Sequence, residues 1–418
     1  MADLFAFDGF VVNPKRAGDI VAPAYDSMSA DQRARYAESH KDNYLNVMRT
    51  RDDYPSEQQI EISEILNSNK TNLNRLIAED GFVKIEQKSY FVYRLIFEDH
   101  QQTGLVAALP VAELDQGVVL RHEQTRADRE ELLVEYLEVV GASSSPVALA
   151  YRAQPEIDSI LEDLCQQSPC LDITSSDGVR QILWQVSDPQ VITQLAEIYQ
   201  SVPVTYLTDG HHRTASASRY VRKLIDNNQA PEKDGVWNHV LVALFPHDQL
   251  RILPFHRCVK LSSDSTNFET LLSQINQNFA VTRLSCDPKN PDMPGQSGSF
   301  TMVYRDQCFS LTFLNKDNAA SDGSIQLDVN ILQKYVLKPL FGITEGNSNP
   351  YLEYVSGSAG IEGVNEVMEK GFELAFYLYP VSIEEIMRVS DLGDVMPPKS
   401  TCFEPKVRSG LFLQLNNA

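Results

Sequence analysis

Hydrophobic positions change their period several times along the chain, and the changes predict a mixture of helices and strands. Residues 29–36 (SADQRARY) open with a capping Ser followed by charged helix formers. Residues 56–77 place Ile60, Ile62, Ile65, Leu66, Leu73 and Leu76 at roughly helical spacing, so both segments are expected to be helices. Aromatic and β-branched residues dominate 89–97 (SYFVYRLIF), and 105–110 (LVAALP) is a second apolar run behind a Gly, which predicts two adjacent strands. Residues 126–139 carry Leu132, Leu133, Tyr136 and Leu137 on a helical repeat that Gly141 stops, and PVALAYR then reads as a strand.

From Val204 the chain reads VTYLTDGHHRTASASRYVRKLI: an apolar strand, a tight Asp-Gly turn, and a helix whose Ala215 and Ala217 allow close packing on a sheet. HVLVALF is the next strand, followed by a Pro-containing loop and LRILPFHRCVKL. The polar stretch SSDSTNF then marks the expected domain boundary, giving residues 1–262 and 263–418. Beyond it FTMVYRD and CFSLTFL alternate as strands do, 329–337 reads as a helix, and FELAFYLYP closes the pattern with a strand. The tail MPPKSTCFEPKVRSGLFLQL reads as a loop and a short terminal strand. The fold class expected is α+β, a mixed α/β chain in two domains without internal repeats.

Composition narrows the function classes. A chain of 418 residues fits about two or three domains, and 43% hydrophobic with 22% charged residues marks it as one that folds. The net charge of −21, from 57 acidic against 36 basic residues, disfavours general binding to nucleic acid or to an anionic membrane. The opening MADLFAFDGF lacks a secretory pattern, and no run approaches the roughly 20 apolar residues of a membrane span. Six scattered cysteines without paired spacings read as reduced thiols, and a soluble cytoplasmic protein is expected.

Three clusters carry candidate chemistry. The first is Asp209-Gly210-His211-His212-Arg213, at a strand-to-helix turn where first-turn N–H groups and the helix dipole attract anions. Gly210 is read as removing a Cβ that would hold a phosphate oxygen off the backbone, with His211, His212 and Arg213 as donors and Arg213 gripping two oxygens at once. The plainer alternative is a surface turn with exposed histidines and Arg213 paired to an acid. A metal site using Asp209 with His211 or His212 needs further ligands, because adjacent helical residues diverge by roughly 100°. The second cluster is His122-Glu123-Gln124-Thr125, where Glu123 suits a general base or a Mg²⁺ ligand; the alternative is a helix cap, Thr125 at N-cap with Asp128 at N3. The third is MPPKSTCFEPK, whose Lys399, Ser400, Thr401 and Lys406 suit nucleotide phosphates, or form an exposed polar loop.

With Ala24-Tyr25-Asp26, His256-Arg257 and Met396 to Lys406 in the same order, these clusters resemble the family called domain of unknown function 1015 along nearly the whole chain. The sequence departs from that pattern at Ala24, where Pro is usual, and at Glu404, where an aromatic is usual. The strand, turn and small-residue helix are also distantly similar to ParB-like and sulfiredoxin-like domains, a group that includes free-serine kinases. By analogy this implies a ParB/sulfiredoxin-like first domain, with the second domain contributing the MPPKST loop to the site. On that reading Asp209 to Thr214 hold phosphate, and His122, Glu123, Asp26, Asp209, His211 and His212 are the catalytic candidates. Lys399, Ser400, Thr401 and Lys406 then steady ATP or ADP, while Tyr25, Thr125, Arg16, His256 and Arg257 line the substrate. Mg²⁺ would sit on Asp209 and Glu123. Three functions stay open: a nucleotide-dependent kinase for free serine or a similar hydroxy metabolite, a phosphatase using His211 or His212, and a ligand-sensing regulator. The expected partner is a small phosphorylated metabolite or hydroxy amino acid, with no nucleic acid or membrane, and a homodimer is compatible with the sequence.

Overall fold

The computed structural model describes residues 3–55, 57–229, 235–261, 267–314, 327–344 and 349–415. The chain divides into two compact units: Met1–Arg121 with Thr125–Leu250 and Pro405–Ala418, and His122–Gln124 with Arg251–Glu404. The division falls at Arg251 rather than at residue 263, because strand pairing outranks local composition. Ile252–Leu253 pairs with Cys402–Phe403, and Phe255–Val259 pairs with both Leu352–Ser356 and Leu374–Leu378. The first five residues of the polar stretch, 262–266, lie outside the described residues.

Among the described residues the first unit is built on an eleven-stranded mixed sheet. Its centre is the antiparallel pair Phe82–Phe97 and His100–Pro110, joined by a tight turn in which Glu98 has φ +56°. His239–Pro246 lies antiparallel to the second of these and parallel to Val147–Tyr151, which pairs in turn with Thr205–Asp209. Alternation sends Phe91, Tyr93, Val106, Ala108, Leu241 and Ala243 to one face, and Tyr90, Val92, Leu105, Ala107, Val242 and Leu244 to the other. Both faces are buried, which is why these strands read as continuous apolar runs. Helix Ile62–Ala78 covers the first face through Leu66, Leu73 and Leu76; Pro155–Cys165 and Pro189–Tyr199 cover the second through Ile157, Leu161, Leu195 and Tyr199. Gly104 permits this crowding, since a Cβ there would lie 2.2 Å from the Leu244 carbonyl oxygen.

The expected helix over 56–77 begins only at Ile62, with Ile65 its first buried position, so nothing in the core pins the preceding turn. The helix Ala30–Ser39 carries the capping box expected from its opening, Ser29 with Gln32. The cap given as the alternative reading of Thr125 is not formed. Arg126 is the N-cap of helix Ala127–Val140, and the Thr125 hydroxyl instead donates to Glu130 Oε1 at 2.6 Å.

Among the described residues the second unit carries a six-stranded antiparallel sheet in the spatial order Phe279–Leu284, Gln307–Phe313, Ser299–Tyr304, Leu374–Leu378, Phe255–Val259, Leu352–Ser356. Phe279, Phe300, Met302, Leu311 and Phe376 fill one side, and Cys258, Val303, Cys308, Ala375 and Tyr377 the other. None of the six cysteines is joined in a disulfide. Among the described residues no helix is long and apolar enough to cross a membrane.

Candidate functional site

The strand Thr205–Asp209 ends where its register with Val147–Tyr151 shifts, so Asp209 leaves the sheet opposite Ala148. Gly210 then turns the chain with φ +103°, and helix His211–Asp226 follows, its first bond running from Thr214 N to Gly210 O at 3.0 Å. The N–H groups ahead of that bond point out of the helix end. A Cβ at 210 would lie 3.1 Å from the Arg213 guanidinium, which folds back over the turn.

Arg213 is committed to the protein. Its Nη2 lies 2.5 Å from Asp209 Oδ2, and its Nη1 donates to the carbonyls of Ser145 at 2.9 Å and Pro146 at 2.7 Å. The other Asp209 oxygen accepts from Lys406 Nζ at 2.8 Å. Burial pushes the Asp209 carboxyl up, but the Lys406 ammonium and the Arg213 guanidinium outweigh it and hold the group well below the usual carboxylate range. A carboxylate so held is a poor proton acceptor at neutral pH and fits the role of a fixed counter-ion. One acid between two cations leaves the cluster with a formal charge of +1.

The pairing with an acid foreseen for a plain surface turn is therefore present at Arg213, yet His211 is buried rather than exposed. The His211 carbonyl accepts from the Thr214 hydroxyl at 2.8 Å. His212 reaches a second helix end: its Nε2 accepts from Arg126 N at 3.2 Å, which leaves Nδ1 to carry the proton of the neutral ring. Helices Ala127–Val140 and His211–Asp226 run side by side in the same direction, with Arg219 on Glu130 and Glu131 and Lys223 on Glu138. Two positive helix ends are thus adjacent.

The closing segment delivers Lys406 and is fastened on either side of it. Gln102 Nε2 donates to Pro405 O at 3.3 Å, Gly410 N donates to Ser144 Oγ at 2.8 Å, and Ser409 and Ser145 share a hydroxyl hydrogen bond. Strand Phe412–Leu415 then pairs with Phe7–Val12 and Ala142–Ser143. Ser144, Ser145, Pro146 and Ser409 are not among the site residues expected from the sequence; the Ser-Ser-Ser-Pro run after the helix stop at Gly141 is a signal for the first three, and nothing local marks Ser409.

The remaining motif residues gather in the second unit. His122 Nε2 lies 3.3 Å from Thr401 Oγ1, and His122 O accepts from Met396 N at 2.7 Å, so the His-Glu-Gln segment and the MPPKST loop are laced together. Glu123 is half-buried beside them in sequence. Arg257 is buried, donating through Nη2 to Lys399 O at 2.9 Å and through Nη1 to Phe255 O at 3.1 Å, with its guanidinium 4.3 Å from the Tyr354 ring centre. Lys399 adopts φ +58° and places Nζ 5.4 Å from the Phe255 ring centre, and the Ser400 hydroxyl donates to Pro397 O at 2.6 Å. His256 Nδ1 accepts from Leu378 N at 3.3 Å, and burial, helped by Arg257, lowers its pKa to about 4. Lys399 and Lys406, paired in the sequence reading, belong to different units.

Arg16 and Tyr25 stand in clusters of their own. Arg16 pairs with Asp42 at 2.6 Å and donates to Glu79 O at 2.5 Å; Tyr25 shares a 3.2 Å hydrogen bond with Thr50 and lies under the Arg33 guanidinium. The Asp26 side chain lies outside the described residues. Among the described residues no group of three or more His, Cys, Asp or Glu is gathered to hold a metal ion. Asp209, already bonded to two cations, does not fit the Mg²⁺ role expected of it.

No curated protein matches the chain by sequence. Among solved structures it is similar to a free serine kinase in complex with AMP, at 12% identity and TM-score 0.34, over 72% of this chain and 86% of that one. A conserved hypothetical protein from Pyrococcus furiosus matches at 11% identity and TM-score 0.34, over 73% and 93%. C-terminally truncated SbnI from Staphylococcus aureus matches at 14% identity and TM-score 0.35, over 74% and 85%. Likeness this loose fixes no role for any residue. The family model described as "Protein of unknown function (DUF1015)" matches residues 4–330, and the chain belongs to that family.

Proposed function

We propose that the protein transfers a phosphoryl group from ATP or ADP to the hydroxyl of a small metabolite, with free serine and its close analogues the first acceptors to try. The observation that carries this reading is the shared carboxylate: Asp209 fixes Arg213 and Lys406 at the N-terminus of helix His211–Asp226, beside a second helix end, and the cluster keeps a net positive charge. Phosphoryl transfer needs little covalent help from a protein and much positioning and charge compensation. Lys406, the first-turn N–H groups and His212 Nδ1–H are the proposed donors to the phosphate, while Asp209 and Arg213 hold the corner in shape. A divalent ion enters as part of the nucleotide substrate.

The test is to incubate the purified chain with Mg²⁺, ATP or ADP, and a panel of hydroxy amino acids, following products by phosphorus NMR. Transfer to an acceptor supports the reading, and Lys406→Met should then raise the nucleotide KM about tenfold or more. Phosphoester cleavage without any nucleotide requirement would make the protein a phosphohydrolase. Neither transfer nor hydrolysis would overturn the enzymatic reading.

A further inference from the structure

We infer that Arg408 is a positioning residue that sets Lys406 against Asp209, an inference that rests on the phosphotransfer reading above. Arg408 is among the most deeply buried side chains of the molecule, at 1% exposure, and its Nη2 lies 2.6 Å from Asp177 Oδ2. Its Nε and Nη1 have no acceptor among the described residues. Asp177 sits in the turn that precedes strand Arg180–Val186, and its carboxyl is 35% exposed. A guanidinium buried with one partner and two bare nitrogens is a poor stabiliser, because the loss of hydration offsets most of the attraction and an apolar side chain of similar size fills such a space at lower cost. The placement of this charge therefore needs another explanation.

Its position supplies one. Arg408 lies two residues beyond Lys406, in an irregular stretch that no long ladder of backbone bonds holds. Ahead of Lys406 the stretch is fixed by the 3.3 Å bond to Pro405 O, and after Arg408 by Ser409, which meets Ser145 and whose carbonyl accepts from Ala22 N at 3.0 Å. Ser145 is the same residue whose carbonyl receives Arg213. The Arg408–Asp177 bond thus fixes the register of the segment between these two fastenings. A slip of one residue would carry the Lys406 ammonium, whose side chain is 15% exposed, away from Asp209.

The experiment is a double-mutant cycle on ADP affinity by calorimetry, in a background that removes both members of the buried pair. Asp177→Asn with Arg408→Met leaves no lone charge behind, and a thermal melt close to that of the wild-type chain establishes that it folds. The expected result is ADP binding weakened about tenfold in that folded variant, and by less than about twofold more when Lys406→Met is added, because the two changes act through one group. Unchanged affinity in the folded variant would overturn the inference, as would a Lys406→Met effect as large there as in the wild-type background. A wild-type chain that binds neither ADP nor inorganic phosphate overturns the phosphotransfer reading itself, and the positioning role with it.

Discussion

Lys406 Nζ lies 2.8 Å from Asp209 Oδ1 across 197 positions of sequence. Arg213, on the helix that Asp209 precedes, takes the other oxygen. The candidate site is therefore a carboxylate with its charge already answered, and replacing its parts has different consequences.

Replacing Gly210 tests the turn. Its φ of +103° is costly for any residue with a side chain, and an added Cβ would press on Arg213 from 3.1 Å. Gly210→Ala is expected to destabilise the protein by about 1–3 kcal/mol, read as a lower midpoint in urea unfolding. A variant as stable as the parent would mean that the turn relaxes freely.

Asp209→Asn tests the counter-ion. The folded carboxyl titrates below its ordinary value, so the unfolded chain takes up the proton first as the pH falls. The stability it contributes is fully present above about pH 4 and is lost progressively as the pH drops toward the folded value. The gap between parent and variant, measured by urea unfolding, should be widest near neutrality and narrower by about 1 kcal/mol near pH 3. A gap independent of pH would count against the charge pairing.

His256→Gln tests burial in the second unit. The imidazole, lowered to about 4, stays neutral while the unfolded chain protonates its copy below about pH 6.5. Stability is therefore constant above that pH and falls between about 6.5 and 4, by on the order of 3 kcal/mol at full extent. Glutamine can accept from Leu378 N without titrating, so the variant should lack this component of the acid response. Parallel pH profiles for the two proteins would show that His256 is hydrated or already charged.

Much of the fold was legible because burial leaves a plain signature. SYFVYRLIF, LVAALP and HVLVALF are strands covered on both faces, and the DGHHR turn announced itself through one Gly between a strand and a helix. The strand Phe7–Val12 was not foreseen, since Asp8 and Gly9 interrupt its apolar run and its partners Phe82–Phe97 and Phe412–Leu415 are distant; nor was the hairpin of Leu171–Thr174 with Arg180–Val186, whose first strand is short and alternates Leu171 and Ile173 with polar residues. At the site, residue types could be read but not their engagements. Nothing local in VTYLTDGHHR shows that Arg213 will spend its donors on Ser145, Pro146 and Asp209, and nothing in EPKVR shows that Arg408 will be buried against Asp177.

The first unit needs Pro405–Ala418 to complete its sheet and to place Lys406, yet the ribosome makes those residues after the whole span Arg251–Glu404. While the chain is still being made, the corner around Asp209 holds Arg213 but no lysine, and Phe7–Val12 lacks its neighbour Phe412–Leu415. Competence for the proposed chemistry thus arrives only after the span Arg251–Glu404 has been made, and a translation product terminated before Lys406 would lack it.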